Sequence, residues 1–249
     1  MRMVSVPAPP QCQPTGPAVP ERGPALLIPA FQAARSLPVL LGEIARGLPG
    51  LPVLVVDDGS TDDTTQAARA GGAEVFRHLR NQGKGAALAR GWSLLFRRGH
   101  AAVLCLDADG QHDPAEAKAF LDLWRRERPD LIVGDRGLGE ASMPWDRRLS
   151  NRLSTLVLRR RTGLPLTDSQ CGFRLLTRSL WEGLRLRGRA YDQESELLLQ
   201  AAALGARVRQ VPVVQRPARA DSHVRRGPDL LRFLARLAEG AAALEDEET

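Results

Sequence analysis

Residues 104–114 read LCLDADGQHDP, an apolar run that ends in two aspartates one residue apart and continues into glycine, glutamine and histidine. In extended chain, residues two apart point to the same side with Cα atoms roughly 6.6 Å apart, so Asp107 and Asp109 converge on one site. Two carboxylates placed there repel each other unless a cation lies between them. Gln111 adds a neutral amide oxygen, and an all-oxygen donor set suits Mg2+ or Mn2+ better than zinc. His112 reads either as a fourth ligand or as a hydrogen-bonded loop histidine. Taken alone, the stretch is equally an acidic turn ahead of a helix opened by Pro114. The surrounding chain has to decide between the two.

On both sides, short apolar runs alternate with helical patterns. ALLI (25–28), VLVV (53–56), EVF (74–76), AVLCL (102–106), LIV (131–133) and VRQV (208–211) read as strands, and 62–70, 85–98 and 114–126 have helical spacing. That alternation predicts an α/β fold with a mostly parallel sheet and helices on both faces. Ligands gather at the carboxyl ends of strands in such sheets, which makes each strand end worth reading. The first ends in IPAFQAA, where Phe31 stacks on a flat ring or packs against the sheet edge. The second ends in VVDDGSTDDT (55–64). Asp57 and Asp58 can accept hydrogen bonds from a base or a ribose, while Asp62 and Asp63 suit the start of the next helix. Lys84, bracketed by glycines in RNQGKGAALARG, suits a phosphate at a helix start.

Composition narrows the classes further. The chain has 249 residues, 43% of them hydrophobic, which is ordinary for a globular protein, and a formal net charge of +6. All but two of its 35 basic residues are arginine, a bias that points to genome composition rather than to a nucleic-acid partner. Three widely spaced cysteines make neither a disulfide framework nor a zinc knuckle and fit a reducing cytoplasm. Seven prolines in the first 24 residues mark a disordered leader (1–24), and EDEET lies in an acidic tail (241–249). Between them, residues 25–240 form one domain. No run approaches the roughly 20 apolar residues that span a bilayer. Two arginine-rich amphipathic stretches, 146–161 with Leu149, Leu153, Leu156 and Val157, and 230–240, read either as core-facing helices or as peripheral contacts with an anionic membrane.

IPAFQAA, VVDDGSTDDT, RNQGKGAALARG, DADGQHDP, GDR (134–136), DSQCGFRLLT and YDQESELLLQAAALG occur in the order seen in family-two glycosyltransferases of the GT-A fold. Within that family the chain resembles the dolichyl-phosphate mannose synthase and polyprenyl-phosphate glycosyltransferase branch. The resemblance implies that Pro29, Phe31, Asp57, Asp58 and Lys84 surround the nucleotide. It also implies that Asp107, Asp109 and Gln111, the DXD motif and its neighbour, bind Mg2+ or Mn2+ on the donor pyrophosphate. Asp168, Glu194 and Arg136 fall in the sugar and acceptor site, and Arg136, Arg216 and Arg225 face phosphate. The family's Tyr-Asn-Glu run is replaced here by Phe31, Gln32 and Ala33, so the donor base stays open.

The implied activity is inverting transfer of a hexose from a nucleoside-diphosphate sugar to a polyprenyl phosphate, by a cytoplasmic protein at the inner face of the membrane. A soluble hydroxyl acceptor, which would need Asp168 or Glu194 as base, and a non-catalytic sugar-nucleotide binding module are the alternatives. A nucleotidyltransferase is disfavoured because a glycine-rich, basic loop does not follow the first strand.

Overall fold

The computed structural model describes residues 22–137, 145–186 and 193–216. The leader, the acidic tail, Arg225 and the 230–240 stretch lie outside them. Seven strands form one sheet: β1 (Ala25–Ala30), β2 (Val53–Asp57), β3 (Glu74–Arg77), β4 (Ala102–Cys105), β5 (Leu131–Asp135), β6 (Arg174–Thr177) and β7 (Val208–Pro212). Their order is β3-β2-β1-β4-β6-β5-β7. β1 pairs in parallel with β2 and β4, β2 with β3, and β5 with β7, whereas β6 runs antiparallel to both β4 and β5. The expected mostly parallel sheet is therefore present, with one reversed strand that the apolar runs did not reveal.

Alternate residues of a strand face opposite sides of the sheet, and every residue of β1 is buried, so layers cover the sheet above and below. The helices are α1 (Leu37–Gly47), α2 (Thr64–Ala70), α3 (Lys84–Arg97), α4 (Ala117–Glu127), α5 (Trp145–Thr162), α6 (Arg178–Gly183) and α7 (Gln193–Ala203). A short 3-10 turn at Pro114–Glu116, capped by the Asp113 carboxylate accepting from the Ala115 amide (2.9 Å), leads into α4. Helix α3 lies directly on β1. A Cβ added at Gly91 would come within 2.2 Å of Leu27, so only glycine permits that approach. The chain leaves β1 toward β2 on one side and meets β4 on the other. This reversal is the switch point at which α/β sheets open a crevice, and β1, β2 and β4 deliver Phe31, Asp58 and Asp107 to its edge.

Candidate active site

The acidic end of β2 is first of all a loop organiser. Asp57 is buried and accepts from the Ser60 amide (2.9 Å) and from the Thr65 hydroxyl, with Arg77 at 3.6 Å. Asp58 accepts from the amides of Gln82 (3.0 Å) and Gly83 (2.8 Å) and pairs with His78 Nδ1 at 2.7 Å. An ionised carboxylate has about four acceptor sites, so Asp58 keeps room for one further donor while holding the 78–83 loop. Pro29 sits in β1 opposite Val56, and Phe31 is half-buried beyond it. Gln32, at φ 51°, fastens the two strand ends together. Its amide nitrogen donates to Thr61 (2.8 Å), and its amide oxygen accepts from the backbone of Thr61 (3.3 Å) and Asp62 (3.2 Å). Ala33 is buried, its N–H bonded to the Thr64 hydroxyl.

Because Asp58 fixes the residues just before α3, Lys84 enters at a defined place. Its ammonium lies 2.9 Å from Asp107 Oδ1, 3.0 Å from Asp107 Oδ2 and 3.0 Å from Glu194 Oε1. Burial alone would push the Lys84 pKa down, but the charges of Asp107 and Glu194 outweigh it and hold the ammonium well above the ordinary lysine value. Asp107 responds in the opposite sense. Burial favours its neutral form, and Lys84 overrides this and lowers its pKa. Burial and the Asp107 charge push Asp109 up to about 6, and its Oδ1 accepts from the Gln111 amide at 2.9 Å. The Gln111 side-chain oxygen accepts from Gln215 Nε2 at 2.8 Å. Among the described residues, no group of three or more His, Cys, Asp or Glu side chains is placed to hold a metal ion. The candidate donor set is thus two carboxylates and one amide, and an ammonium already bridges the first carboxylate to Glu194.

A second ion pair forms the floor. Arg136, just after β5, lies side-on to Asp168, with Nε 2.6 Å from Oδ2 and Nη2 3.0 Å from Oδ1. Asp168 is fully buried and also accepts from Asn151 Nδ2 (3.0 Å) and the Gln170 amide (3.0 Å). Burial would raise its pKa, but the Arg136 guanidinium and these donors bring it below the usual carboxylate value. Arg174 starts β6 and donates to the carbonyls of Cys171 (2.6 Å), Ser169 (2.6 Å) and Glu194 (2.9 Å). One buried guanidinium therefore sets both the 169–172 turn and the first turn of α7. Gly172 in that turn touches Asp107 so closely that a Cβ there would lie 2.3 Å from Oδ2.

Other candidates sit elsewhere. His112 is 4% exposed, its ring 5.3 Å from Phe173 and its Nε2 3.9 Å from Cys171 Sγ, so it packs into the wall. Burial pushes its pKa down to about 4. Arg216 pairs with Glu43 (3.2 Å) and Asp113, and its amide donates to the Gln111 carbonyl at 2.7 Å. It straps the segment after β7 onto the DXD loop. Arg225 lies outside the described residues. Asn151, His78, Arg174 and Gln215 support the site without having been singled out as individual residues. Two of them left a signal: Arg174 as the arginine of the CGFR run in DSQCGFRLLT, and Asn151 as one of the polar residues Asn151, Ser154 and Thr155 at helical spacing opposite the exposed leucines of α5.

Residues 25–184 match the family model described as Glycosyl transferase family 2. An undecaprenyl-phosphate mannosyltransferase of Micrococcus luteus is 30% identical, over 75% of this chain and 81% of its own. A polyprenol monophosphomannose synthase of Mycolicibacterium smegmatis is 28% identical, over 76% of this chain and 75% of its own. Among solved structures, glucosyl-3-phosphoglycerate synthase of Mycobacterium tuberculosis with phosphoglyceric acid superposes with a TM-score of 0.71 at 24% identity, covering 88% of this chain and 79% of its own. The same enzyme with Mn2+ and UDP-glucose gives a TM-score of 0.65 at 25% identity, over 86% and 76%. The sheet is that of the GT-A glycosyltransferases, and the chain belongs to glycosyl transferase family 2.

Proposed function

We propose that the protein moves a hexose from a nucleoside-diphosphate sugar to a polyprenyl phosphate with inversion at the anomeric carbon. The bond from that carbon to the donor phosphate breaks as a bond to an acceptor phosphate oxygen forms. One observation carries the choice of acceptor: the two carboxylates expected to act as base for a hydroxyl are both held in ion pairs, Asp168 with Arg136 and Glu194 with Lys84. A hydroxyl acceptor needs a base to remove its proton. A phosphate monoester with a second pKa near about 6 is already ionised at neutral pH and needs none. The names of the Micrococcus and Mycolicibacterium relatives agree with a lipid phosphate.

The residues fit a divalent ion by their chemistry: Asp107 and Asp109 supply carboxylate oxygens, Gln111 an amide oxygen, and the Lys84 ammonium already stands as a cation against Asp107. Those three residues would hold Mg2+ or Mn2+, and a solved structure of the M. tuberculosis enzyme is a complex with Mn2+ and UDP-glucose. When bound, the ion stabilises the diphosphate that leaves. Asp58 has one acceptor site for the nucleoside. Arg136, bound side-on to Asp168, keeps further guanidinium donors for the acceptor phosphate.

In a transfer assay with UDP- and GDP-hexoses and Mn2+, polyprenyl phosphate is the acceptor that turns over, and phosphoglyceric acid, a soluble hydroxyl acceptor, does not. Turnover confined to the soluble acceptor overturns the reading.

Access to a lipid acceptor falls to α5. No helix among the described residues is long and apolar enough to cross a membrane. On α5, Leu149 (51%), Leu153 (47%) and Leu156 (43%) are exposed, whereas Asn151, Ser154, Thr155 and Leu158 are buried. The leucine stripe, which also read as a core face, points outward instead, because the inner face is taken by polar groups that bond Asp168 and Ser169. Arg152, Arg159, Arg160 and Arg161 flank it, a pattern suited to an anionic bilayer surface. The triple change Leu149→Gln, Leu153→Gln and Leu156→Gln is expected to abolish flotation with anionic liposomes while leaving the melting temperature within a few degrees, since exposed leucines contribute little to the core. Unchanged flotation rules α5 out as the contact.

A further inference from the structure

Lys84 straddles both oxygens of Asp107 and also reaches Glu194, at 2.9, 3.0 and 3.0 Å. Any divalent cation that takes Asp107 as a ligand needs at least one of the oxygens that the ammonium holds. Two cations sharing one carboxylate at close range in a partly buried site repel each other strongly, because their surroundings screen them less than water does. We infer that Lys84 is an exchangeable counter-ion: it occupies the metal-side face of Asp107 until a divalent cation arrives, and then turns to the diphosphate of the donor.

The local construction supports an exchange rather than a fixed strut. Lys84 is the first residue of α3, so its backbone is locked by Asp58 through Gly83 and by the contact of Gly91 with β1, while its ammonium rides on a flexible four-carbon stem. The start of a long helix is also where an anionic diphosphate is favoured, through the amides of the first turn and the helix dipole. The ammonium thus has an anion on either side of its swing, Asp107 and Glu194 on one and the diphosphate on the other. Binding of metal and donor becomes mutually reinforcing, because each supplies what the other displaces. A cation binding alone must draw Lys84 off Asp107 and leaves the ammonium with Glu194 but without the diphosphate. The inference rests on the donor-site reading above and adds to it a named competitor for the metal.

The chain offers a clean probe, since Lys84 and Lys118 are its only lysines and Lys118 is exposed on α4. In competitive acetylation with an N-hydroxysuccinimide ester, read by mass spectrometry, Lys84 of the protein without added metal reacts at least about tenfold more slowly than Lys118, as a paired and partly buried ammonium should. Mn2+ at a concentration that saturates the site, followed by electron paramagnetic resonance, raises the Lys84 rate. Further addition of UDP or GDP lowers it again. A second measurement compares Mn2+ affinity without nucleotide: Lys84→Met tightens it by about tenfold or more, and Lys84→Arg, which keeps the charge, leaves it near wild type. Bound Mn2+ with an unchanged Lys84 rate, or equal Mn2+ affinity in Lys84→Met and wild type, overturns the exchange while leaving the donor site standing. Failure of Mn2+ to bind under any condition, nucleotide included, removes the donor-site reading and the exchange together.

Discussion

Replacing Asp107 by Asn is expected to lower glycosyl transfer by at least about a hundredfold with the fold intact, the range seen when a preorganised charge-stabilising group is lost. Asp107 is the point at which three supports meet. β4 ends just before it, Lys84 neutralises it, and Gly172 leaves the space its carboxylate occupies. Asparagine keeps the shape but carries no charge, so the site loses its strongest candidate ligand for the ion on the leaving diphosphate. Stability is expected to move little because two effects offset the loss of the Lys84–Asp107 ion pair. Lys84 keeps Glu194 as partner, and Asp109 is relieved of the neighbouring charge that pushes its pKa up. The pair of measurements is kcat/KM with the preferred donor and the melting temperature of the same preparation. Activity within threefold of wild type would remove Asp107 from the machinery. A melting temperature lower by more than about 10 °C would instead make it a structural residue, since one kcal/mol corresponds to roughly 2–4 °C in a chain of this size.

Much of this was legible along the chain because it is local. Strands β1, β2, β4, β5 and β7 show as apolar runs since each buries side chains, β3 shows by its half-buried Val75 and Phe76, and the DXD spacing is a local signal that the strand geometry makes meaningful. β6 did not show. It begins with Arg174, a charged residue that becomes buried only because three carbonyls from two other segments surround it, and its reversed pairing with β4 and β5 is a tertiary fact. The partners of the acidic residues were equally hidden. Asp58 bonds to residues 20 to 25 positions away, and Lys84 meets Glu194 across 110 positions. Periodicity along α5 displayed an apolar stripe but could not say which way it faces. The answer lies in Asp168 and Ser169, whose need for buried hydrogen-bond partners turns the polar side of the helix inward.

Asp168→Ala is expected to cost about 3 kcal/mol of stability, the lower end of the range for removing one member of a buried ion pair. Asp168 is fully buried, and its loss leaves Arg136 without its bidentate partner and Asn151 without an acceptor. Asp168→Asn should cost less, because an amide oxygen can still accept from Arg136 or Asn151. The pH dependence separates charge from shape. Burial would raise the Asp168 pKa, but Arg136 and the hydrogen bonds hold it below its unfolded value near about 3.9, so its contribution is fully present above that pH and disappears as pH falls through the lower folded value. Denaturant melts should therefore show the gap between wild type and Asp168→Asn at its widest above about pH 5 and closing toward pH 2. A gap that stays constant across that range would mean that packing, not the ion pair, accounts for the loss. The same variant bears on the acceptor: if the acceptor is already ionised, Asp168→Asn retains transfer to polyprenyl phosphate within about tenfold, whereas a general base contributes about a hundredfold or more and its removal would show as a correspondingly larger fall in kcat.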